Sequence, residues 1–493
     1  VSSENFVTTL LSVSELFQAV QGERIPQQKN CTEFSFTSVA TDSRKVVQKS
    51  LFIPLLGQTQ DGHSYIPQAL KKGASVVLIN RNYYRAHTEE LRAIAGAHTN
   101  VWFIIVENTL HALQAAAAAY VAKFPSLIRI GITGSSGKTT TKEIAAAVLS
   151  SMYTVITNEG NLNSETGLPL SVFNIRPEHE IGIFEMGMNR KNEIGEIAAV
   201  LKPEYALVTN IGTAHIGLLG SRFNIAVEKK KIFSYMSENG VAFIPSDDDF
   251  AEFLGQGLKG RIVRYGPKVS ESVSGVKFIR NNGMNGTEFL VDGIRITCPL
   301  PGIYNYTNVL AAIALAKSLH IPALKIKSGI ESIRFIPGRG EVIPLKIKEA
   351  TITIIQDCYN ANPDSMAKAL DFIASLHPAG RKICVLGDMR ELGPSSAAAH
   401  FEIGSKVAAI GAAYVIFIGD EMANAMEGFG GNKRIDQTVN YFQAADENTM
   451  LQAAELLSAY VQNGDVVLLK GSRSLRLERI TACLQGKKEF CDG

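Results

Sequence analysis

The sequence carries almost no excess charge of either sign. Its 49 Lys and Arg stand against 47 Asp and Glu, a formal net charge of +2. That excludes a protein whose main business is binding nucleic acid or an acidic membrane through bulk attraction, though not one local anionic ligand. An uninterrupted apolar run of about 18 residues is also missing, so no membrane-spanning helix is expected. The first stretch, VSSENFVTTLLSV, lacks the basic start and apolar core of a signal peptide. With Val1 in first place, an initiating Met is expected to have been removed or never present. Cysteine is sparse and without pattern: Cys31, Cys298, Cys358, Cys384, Cys483 and Cys491 form no CxxC. They read as reduced thiols of a cytoplasmic chain, not as a disulfide frame or a zinc site.

What is present is a long globular sequence. Of 493 residues, 46% are apolar and 19% charged, a profile that forms packed cores. At roughly 150 residues per domain it has room for about three. SYIPQALKKG predicts a short helix with Lys71 and Lys72 in its last turn and Gly73 as its stop. ASVVLIN reads as a buried strand. Leu110, Leu113, Ala117, Val121 and Phe124 recur at helical spacing behind Asn108, a suitable N-cap. SLIRIGIT, IGIFEMG and YALVTNIG are short apolar runs alternating with helical stretches, which implies a mostly parallel sheet. Around 261–300 short strands with Gly and Asn turns predict an antiparallel addition, and YTNVLAAIALAKSLH returns to helix. FIPGRGEVIP, with two prolines and two glycines, is read as a domain boundary. Beyond it the strand–helix alternation restarts with TITIIQD and a helix from about Ser365, then KICVLGD, YVIFIGD and DVVLLKG. The expected fold class is therefore α/β. The boundaries expected are 1–105 for a small α/β domain, 106–336 for a central domain with a mostly parallel sheet, and 337–493 for a Rossmann-like domain.

Polar clusters sit at the carboxyl ends of the apolar runs, where open α/β sheets bind ligands. The strongest is GSSGKTTT, placed between a strand and a helix as phosphate cradling requires. Gly134 and Gly137 let the backbone wrap phosphate oxygens; Ser135, Ser136 and Thr140 supply further backbone N–H groups beside the helix start. Lys138 can follow the terminal phosphates and Thr139 can hold Mg²⁺ through its hydroxyl. The loop departs from GxxxxGK[ST], because Ile132 stands where that pattern has Gly. Generic motor, transporter and GTPase families therefore fit poorly. Glu185, closing IGIFEMG, could by itself cap a turn or stay in solvent; together with a phosphate loop it is a good candidate Mg²⁺ ligand. His215 could meet metal or phosphate, or be structural. VEKKKIF reads by itself as a solvated helix face, and GNLNSETGLPL as a polar functional loop or an ordinary turn. Asp357 ends a strand, and Lys470 with Arg473 could clamp a carboxylate or phosphate; a helix cap with an outward-facing Arg is the plainer reading.

These motifs, taken in order, resemble the Mur ligases, the ATP-dependent amide-forming enzymes of peptidoglycan synthesis. The resemblance runs nearly end to end. It rests on TDSRKVVQKSLFIPLLGQTQDGHSYI, TGSSGKTTTK, GNLNSETGLPL, the Glu185 strand, IGTAH, GIYNYTNVLAAIALA, DCYNANPDSM, VLGDMRELG with His400, and LLKGSRS. The last three resemble the branch that adds D-alanyl-D-alanine; the DNPR motif of the diaminopimelate- or lysine-adding branch is not found. The resemblance implies an N-terminal UDP-binding domain, a central P-loop domain and a Rossmann-like C-terminal domain. It implies ATP and D-alanyl-D-alanine as substrates with UDP-N-acetylmuramoyl-tripeptide, Mg²⁺ (two ions expected) and a cytoplasmic monomer. Closure of the domains on ligand is expected because the ATP and dipeptide sites would lie on different domains. It also implies residue roles. Lys229 would be carbamylated and hold Mg²⁺ with Thr139, Glu185 and His215. Asn305 and Asn308 would lie near adenine, and Arg339 and Asp357 near ribose and phosphates. Ser43 and Arg44 would lie near the UDP part, and Asn163, Thr166, Lys470, Ser472 and Arg473 near the remaining substrate.

Tyr304 stands where the family often has His, Gly217 where it has Glu, and Lys230 and Lys231 where it has a Gly and acidic pair. Other readings are a different Mur-type or folylpolyglutamate synthase-like ligase, and a nucleotide-gated binding protein without turnover.

Overall fold

The computed structural model describes residues 9–25, 35–57, 60–334 and 336–487. The first eight residues, Cys31, Phe335 and Cys491, all touched by expectations above, lie outside them. The contacts gather the chain into two compact units: 1–131 with 153–206 and 231–240, and 132–152 with 207–230 and 241–493.

In the first unit a five-stranded sheet runs Glu23–Arg24, Trp102–Val106, Ala74–Asn80, Ser50–Phe52, Ser38–Ala40. All pairings are parallel except the one made by the two-residue edge strand Glu23–Arg24. The strand ASVVLIN is buried along its whole length, the consequence of covering both faces of a parallel sheet. Helix Ile66–Lys71 ends at Gly73, whose φ of +99° is open to glycine at no steric cost. Helix Thr109–Val121 starts where expected: the Asn108 side chain accepts from the N–H groups of Leu110 and His111. Val155–Thr157 and Ile181–Glu185 pair in parallel in the same unit.

The second unit holds a six-stranded sheet ordered Glu341–Ile347, Ala350–Asp357, Val466–Lys470, Lys382–Gly387, Tyr414–Ile418, Thr438–Phe442. Only the first pairing is antiparallel. Met366, Leu370, Phe417 and Phe429 fill a core on one side; Ile354, Val385, Met450 and Leu457 belong to a second core. This is the doubly wound arrangement expected of the last third. Its helix Pro363–Ser375 begins two residues before Ser365, because Asn362 caps it through the Ser365 N–H. An antiparallel addition exists as Val276–Asn281, Thr287–Val291 and Ile294–Cys298. Arg261–Tyr265 does not belong to it, contrary to expectation, and instead pairs in parallel with Val241–Pro245. It is an edge strand, exposed or half-buried up to Tyr265, with Arg261 and Arg264 along it, so it lacks the continuous apolar run of the buried parallel strands. Among the described residues no helix is long and apolar enough to cross a membrane.

Candidate active site

Strand Ile128–Thr133 leads into the loop 134–137, and helix Lys138–Leu149 follows at once. Two glycines make this turn. Gly134 has φ +150°, and a Cβ there would fall 1.8 Å from Thr209 Oγ1; Gly137 has φ +79°, and a Cβ would fall 2.4 Å from Asn308 Oδ1. The segment after strand Tyr205–Val208 clamps the loop from one side. Ser135 N–H donates to Asn210 O at 3.0 Å. Ser136 N–H donates to Asn210 Oδ1 at 3.1 Å, while Thr209 Oγ1 donates to Ser136 O at 2.6 Å. Two lysines converge on one carbonyl: Lys138 Nζ donates to Gly134 O at 2.9 Å, and Lys229 Nζ to the same oxygen at 3.0 Å. Lys229 is 1% exposed, so it is not on a solvated face. Lys230 donates to Phe253 O and Gln256 O, and Lys231 to Asn192 Oδ1. The three lysines thus serve three different neighbours, which composition could not reveal.

Asn305 and Asn308 lie beside the loop's end. Thr141 Oγ1 donates to Asn308 Oδ1 at 3.3 Å, Asn308 Nδ2 to Asn305 Oδ1 at 3.0 Å, and Asn305 Nδ2 to Pro301 O at 2.8 Å. Tyr304 meets Phe372 edge-on at 6.1 Å. Burial, with the Asp357 charge adding to it, keeps its hydroxyl protonated far above the ordinary tyrosine range.

Residues from the last third reach the same loop. Asp364 accepts from Thr213 N–H at 2.7 Å and from Thr213 Oγ1 at 2.8 Å. Asn362 Nδ2 donates to Ser136 Oγ at 3.4 Å. His215 has a buried Nδ1 without a well-angled acceptor; its ion-pair neighbour is Glu391 Oε2. His215 holds the Glu391 carboxyl below its ordinary range, burial opposes, and the Lys138 charge helps lower it. Asp364 and Glu391 were not singled out from sequence, although both sit inside the motifs DCYNANPDSM and VLGDMRELG.

Asp357 and Lys470 come together at the carboxyl ends of neighbouring strands. Lys470 Nζ lies 2.6 Å from Asp357 Oδ2, with Lys470 only 1% exposed. Arg339 lies over the Tyr359 ring at 4.2 Å and Arg473 faces the same ring at 5.8 Å, so Tyr359, also unmarked by sequence, gathers two guanidinium groups. Arg473 pairs with Glu478 at 2.6 Å. Ser472 is buried and occupied structurally: its hydroxyl accepts the Arg390 N–H at 3.0 Å and its own N–H donates to Asp388 O. His400 is fully buried and holds the same loop by accepting the Met389 N–H. Cys298, Cys358 and Cys384 are buried free thiols; burial pushes Cys298 up to about 11 and Cys384 up to about 12.

In the first unit, Glu185 is 2% exposed at its strand's end. Asn163 Nδ2 donates to its Oε1 at 2.7 Å, and Asn158 Oδ1 accepts the Glu185 N–H at 2.9 Å. Thr166 precedes helix Gly167–Val172 without capping it through its side chain. Ser43 is buried and donates to Gln68 Oε1 at 2.7 Å. Arg44 is exposed and its guanidinium holds the Asp42 carboxyl down to about 2.

A glycine-turned phosphate loop gripped by a doubly wound domain is the arrangement of a nucleotide-dependent ligase. Comparison with known proteins specifies it. Three successive parts match one family: the Mur ligase family catalytic domain over residues 35–121, the Mur ligase middle domain over 132–316, and the Mur ligase glutamate ligase domain over 338–473. The chain belongs to the Mur ligase family and has its three-domain α/β fold with parallel sheets. It is 44% identical over 97% of its length to the UDP-N-acetylmuramoyl-tripeptide--D-alanyl-D-alanine ligase of Treponema pallidum (strain Nichols), all of which it covers. It resembles the crystal structure of MurF from Acinetobacter baumannii with a TM-score of 0.82 at 27% identity, over 97% of this chain and 100% of that one. MurF ligase from Thermotoga maritima in complex with ADP gives a TM-score of 0.74 at 25% identity, over 92% and 98%.

Proposed function

We propose that this chain joins D-alanyl-D-alanine to the terminal carboxylate of UDP-N-acetylmuramoyl-tripeptide, with ATP cleaved to ADP and phosphate, in peptidoglycan synthesis. The observation that carries the reading is the 44% identity, over 97% of the chain, to a ligase named for that reaction. A carboxylate is a poor acyl donor because its leaving group would be oxide. Transfer of the γ-phosphoryl group gives an acyl phosphate and ADP; the dipeptide amine then attacks the acyl carbon and inorganic phosphate departs with the C–O bond.

The roles proposed extend the family resemblance, and the loop's geometry supports those of its own residues. The backbone of Gly134, Ser135, Ser136 and Gly137, with Lys138, Thr139 and Thr140, cradles the ATP phosphates. On binding, Lys138 exchanges the Gly134 carbonyl for the charge of the nucleotide. Asn305 and Asn308 serve the adenine side, and Arg339 and Asp357 the ribose and phosphates. Ser43 and Arg44 belong to UDP recognition; Asn163, Thr166, Lys470 and Arg473 serve the remaining substrate, Ser472 by holding the loop at Arg390. The division of labour proposed is 1–105 for UDP-sugar, 106–336 for ATP and 337–493 for the dipeptide.

Among the described residues no three His, Cys, Asp or Glu side chains gather as a metal cluster. Mg²⁺ typically takes one or two carboxylates and completes its shell with phosphate oxygens and water. Thr139, His215 and Lys229 as its carbamate are the proposed ligands, and Glu185, held by Asn163, is a proposed carboxylate ligand. A carbamate keeps one N–H, so Lys229 could retain its bond to Gly134 O. Bound Mg²⁺ would screen the approach of the two anions. The test is phosphate release from ATP. It should require both the UDP-tripeptide and D-alanyl-D-alanine, and be run with lysine and with meso-diaminopimelate at the third position. Release indifferent to the dipeptide would overturn the proposal.

A further inference from the structure

We infer that Glu391 is a positioning residue for His215, reaching it from the last third of the chain, and that Gly217 is the steric complement that lets it do so. The inference rests on the ligase reading above. His215 and Glu391 both carry left-handed backbone, φ +64° and +66°, a conformation that non-glycine residues hold only where their surroundings demand it. The two residues meet side chain to side chain, Nδ1 to Oε2. They also meet through the main chain, because Gly217 N–H donates to Glu391 O at 3.1 Å. This second contact needs glycine. A Cβ at residue 217 would lie 2.5 Å from Gly393 N and 2.7 Å from Glu391 O, both backbone atoms that cannot swing away. Gly393 is equally committed, since a Cβ there would fall 2.9 Å from Gly217 Cα. Two segments, each strained at one residue and bare at another, thus interlock beside the phosphate loop.

The chemical consequence concerns the imidazole. The contact is an ion pair without the angle of a hydrogen bond; a carboxylate beside Nδ1 favours the proton on that nitrogen, which leaves Nε2 with the lone pair for whatever His215 serves. Gly217 stands where the resembled family often has an acid. In this chain the carboxylate beside His215 comes instead from Glu391, so the imidazole is oriented only when the segment 387–393 is seated. Glu391 touches no substrate in this scheme; it acts through His215.

The test is a double-mutant cycle of Glu391→Gln and His215→Gln with steady-state kinetics for ATP, the UDP-tripeptide and the dipeptide. Glu391→Gln should lower kcat about 10- to 100-fold, the range for loss of a carboxylate behind a working histidine, with each KM moved less than about threefold. Glu391→Asp should recover part of the loss. In the His215→Gln background, Glu391→Gln should cost little more, because the two act as a unit. Gly217→Ala should reproduce the kcat loss through the main chain alone. Unchanged kcat in Glu391→Gln or Gly217→Ala, or full additivity in the cycle, would overturn the inference. Dipeptide-dependent turnover by the unaltered chain would still stand in that case, so the two failures are distinguishable.

Discussion

At the scale of single residues, the site is decided by which lysine goes where. Lys138 belongs to the phosphate loop and Lys229 lies far from it in sequence, yet both donate to Gly134 O. Those two are expected to fail differently. Lys138→Ala removes the cation that follows the transferred phosphoryl group, and kcat should fall about 10²–10³-fold, the usual cost of losing one well-placed electrostatic partner. Near-normal turnover would refute the phosphate-loop reading. Lys229→Ala should also inactivate, but a short added carboxylate should restore part of the activity if the working species is the carbamate, an anion. No such rescue is expected for Lys138→Ala. Rescue of both, or full activity of Lys229→Ala, would place Lys229 back among structural lysines.

At the scale of elements, the loop and its helix are set by glycine. Gly137 is the left-handed N-terminal cap of Lys138–Leu149, and Asn308 occupies the space a side chain would need. Gly137→Ala should therefore cost about 1–2 kcal/mol from backbone strain alone and raise the KM for ATP about tenfold (1.36 kcal/mol per decade). Because Asn308 itself serves the adenine side, the control is Asn308→Ala alone: in that background Gly137→Ala should still raise the KM for ATP through strain, though by less; no further rise would show that crowding was the whole effect. This element was readable in advance because a buried strand, two glycines, a lysine and a helix lie next to one another in sequence. The same holds for ASVVLIN, for the Asn108 cap and for the strands of the last third. Asp364, Tyr359 and Glu391 were not readable as site residues, since their significance lies in Thr213, Arg339 and His215, partners more than a hundred residues away or on another strand's loop. Arg261–Tyr265 was misassigned for a related reason: charged residues at a sheet's edge hide the periodicity that betrays a parallel strand. Lys470 and Ser472 read as open ligand groups but are buried and already partnered, and no local pattern carries that information.

At the scale of the whole molecule, the second unit places its candidate ligand groups and a buried ion pair at opposite ends of its strands. Asp357, Lys470 and Ser472 lie at carboxyl ends, as open α/β sheets place their ligand groups. The amino ends of the same sheet hold a different construction. Asp465, fully buried at the start of Val466–Lys470, pairs with Arg381 at 2.8 Å and accepts the N–H groups of Arg381 at 2.7 Å and Gln462 at 2.8 Å. Burial alone would raise the Asp465 carboxyl; the Arg381 side chain and the two backbone donors override it, and the net direction is downward. A depressed carboxylate stabilises the fold above its unfolded pKa, about 3.9, and that contribution is lost as pH falls through the lower folded value. Asp465→Asn should thus lower the melting temperature at neutral pH, at a cost of about 2 kcal/mol for hydrogen bonds to a charged group. The gap to the unaltered chain should stay open down to about pH 4 and close below it as the native carboxylate protonates. At a temperature where both are folded, kcat and the three KM values should agree within about twofold, since Asp465 lies at the sheet's amino end, away from Asp357 and Lys470. A matched loss of kcat without a change in melting would show instead that the amino ends of this sheet take part in the reaction.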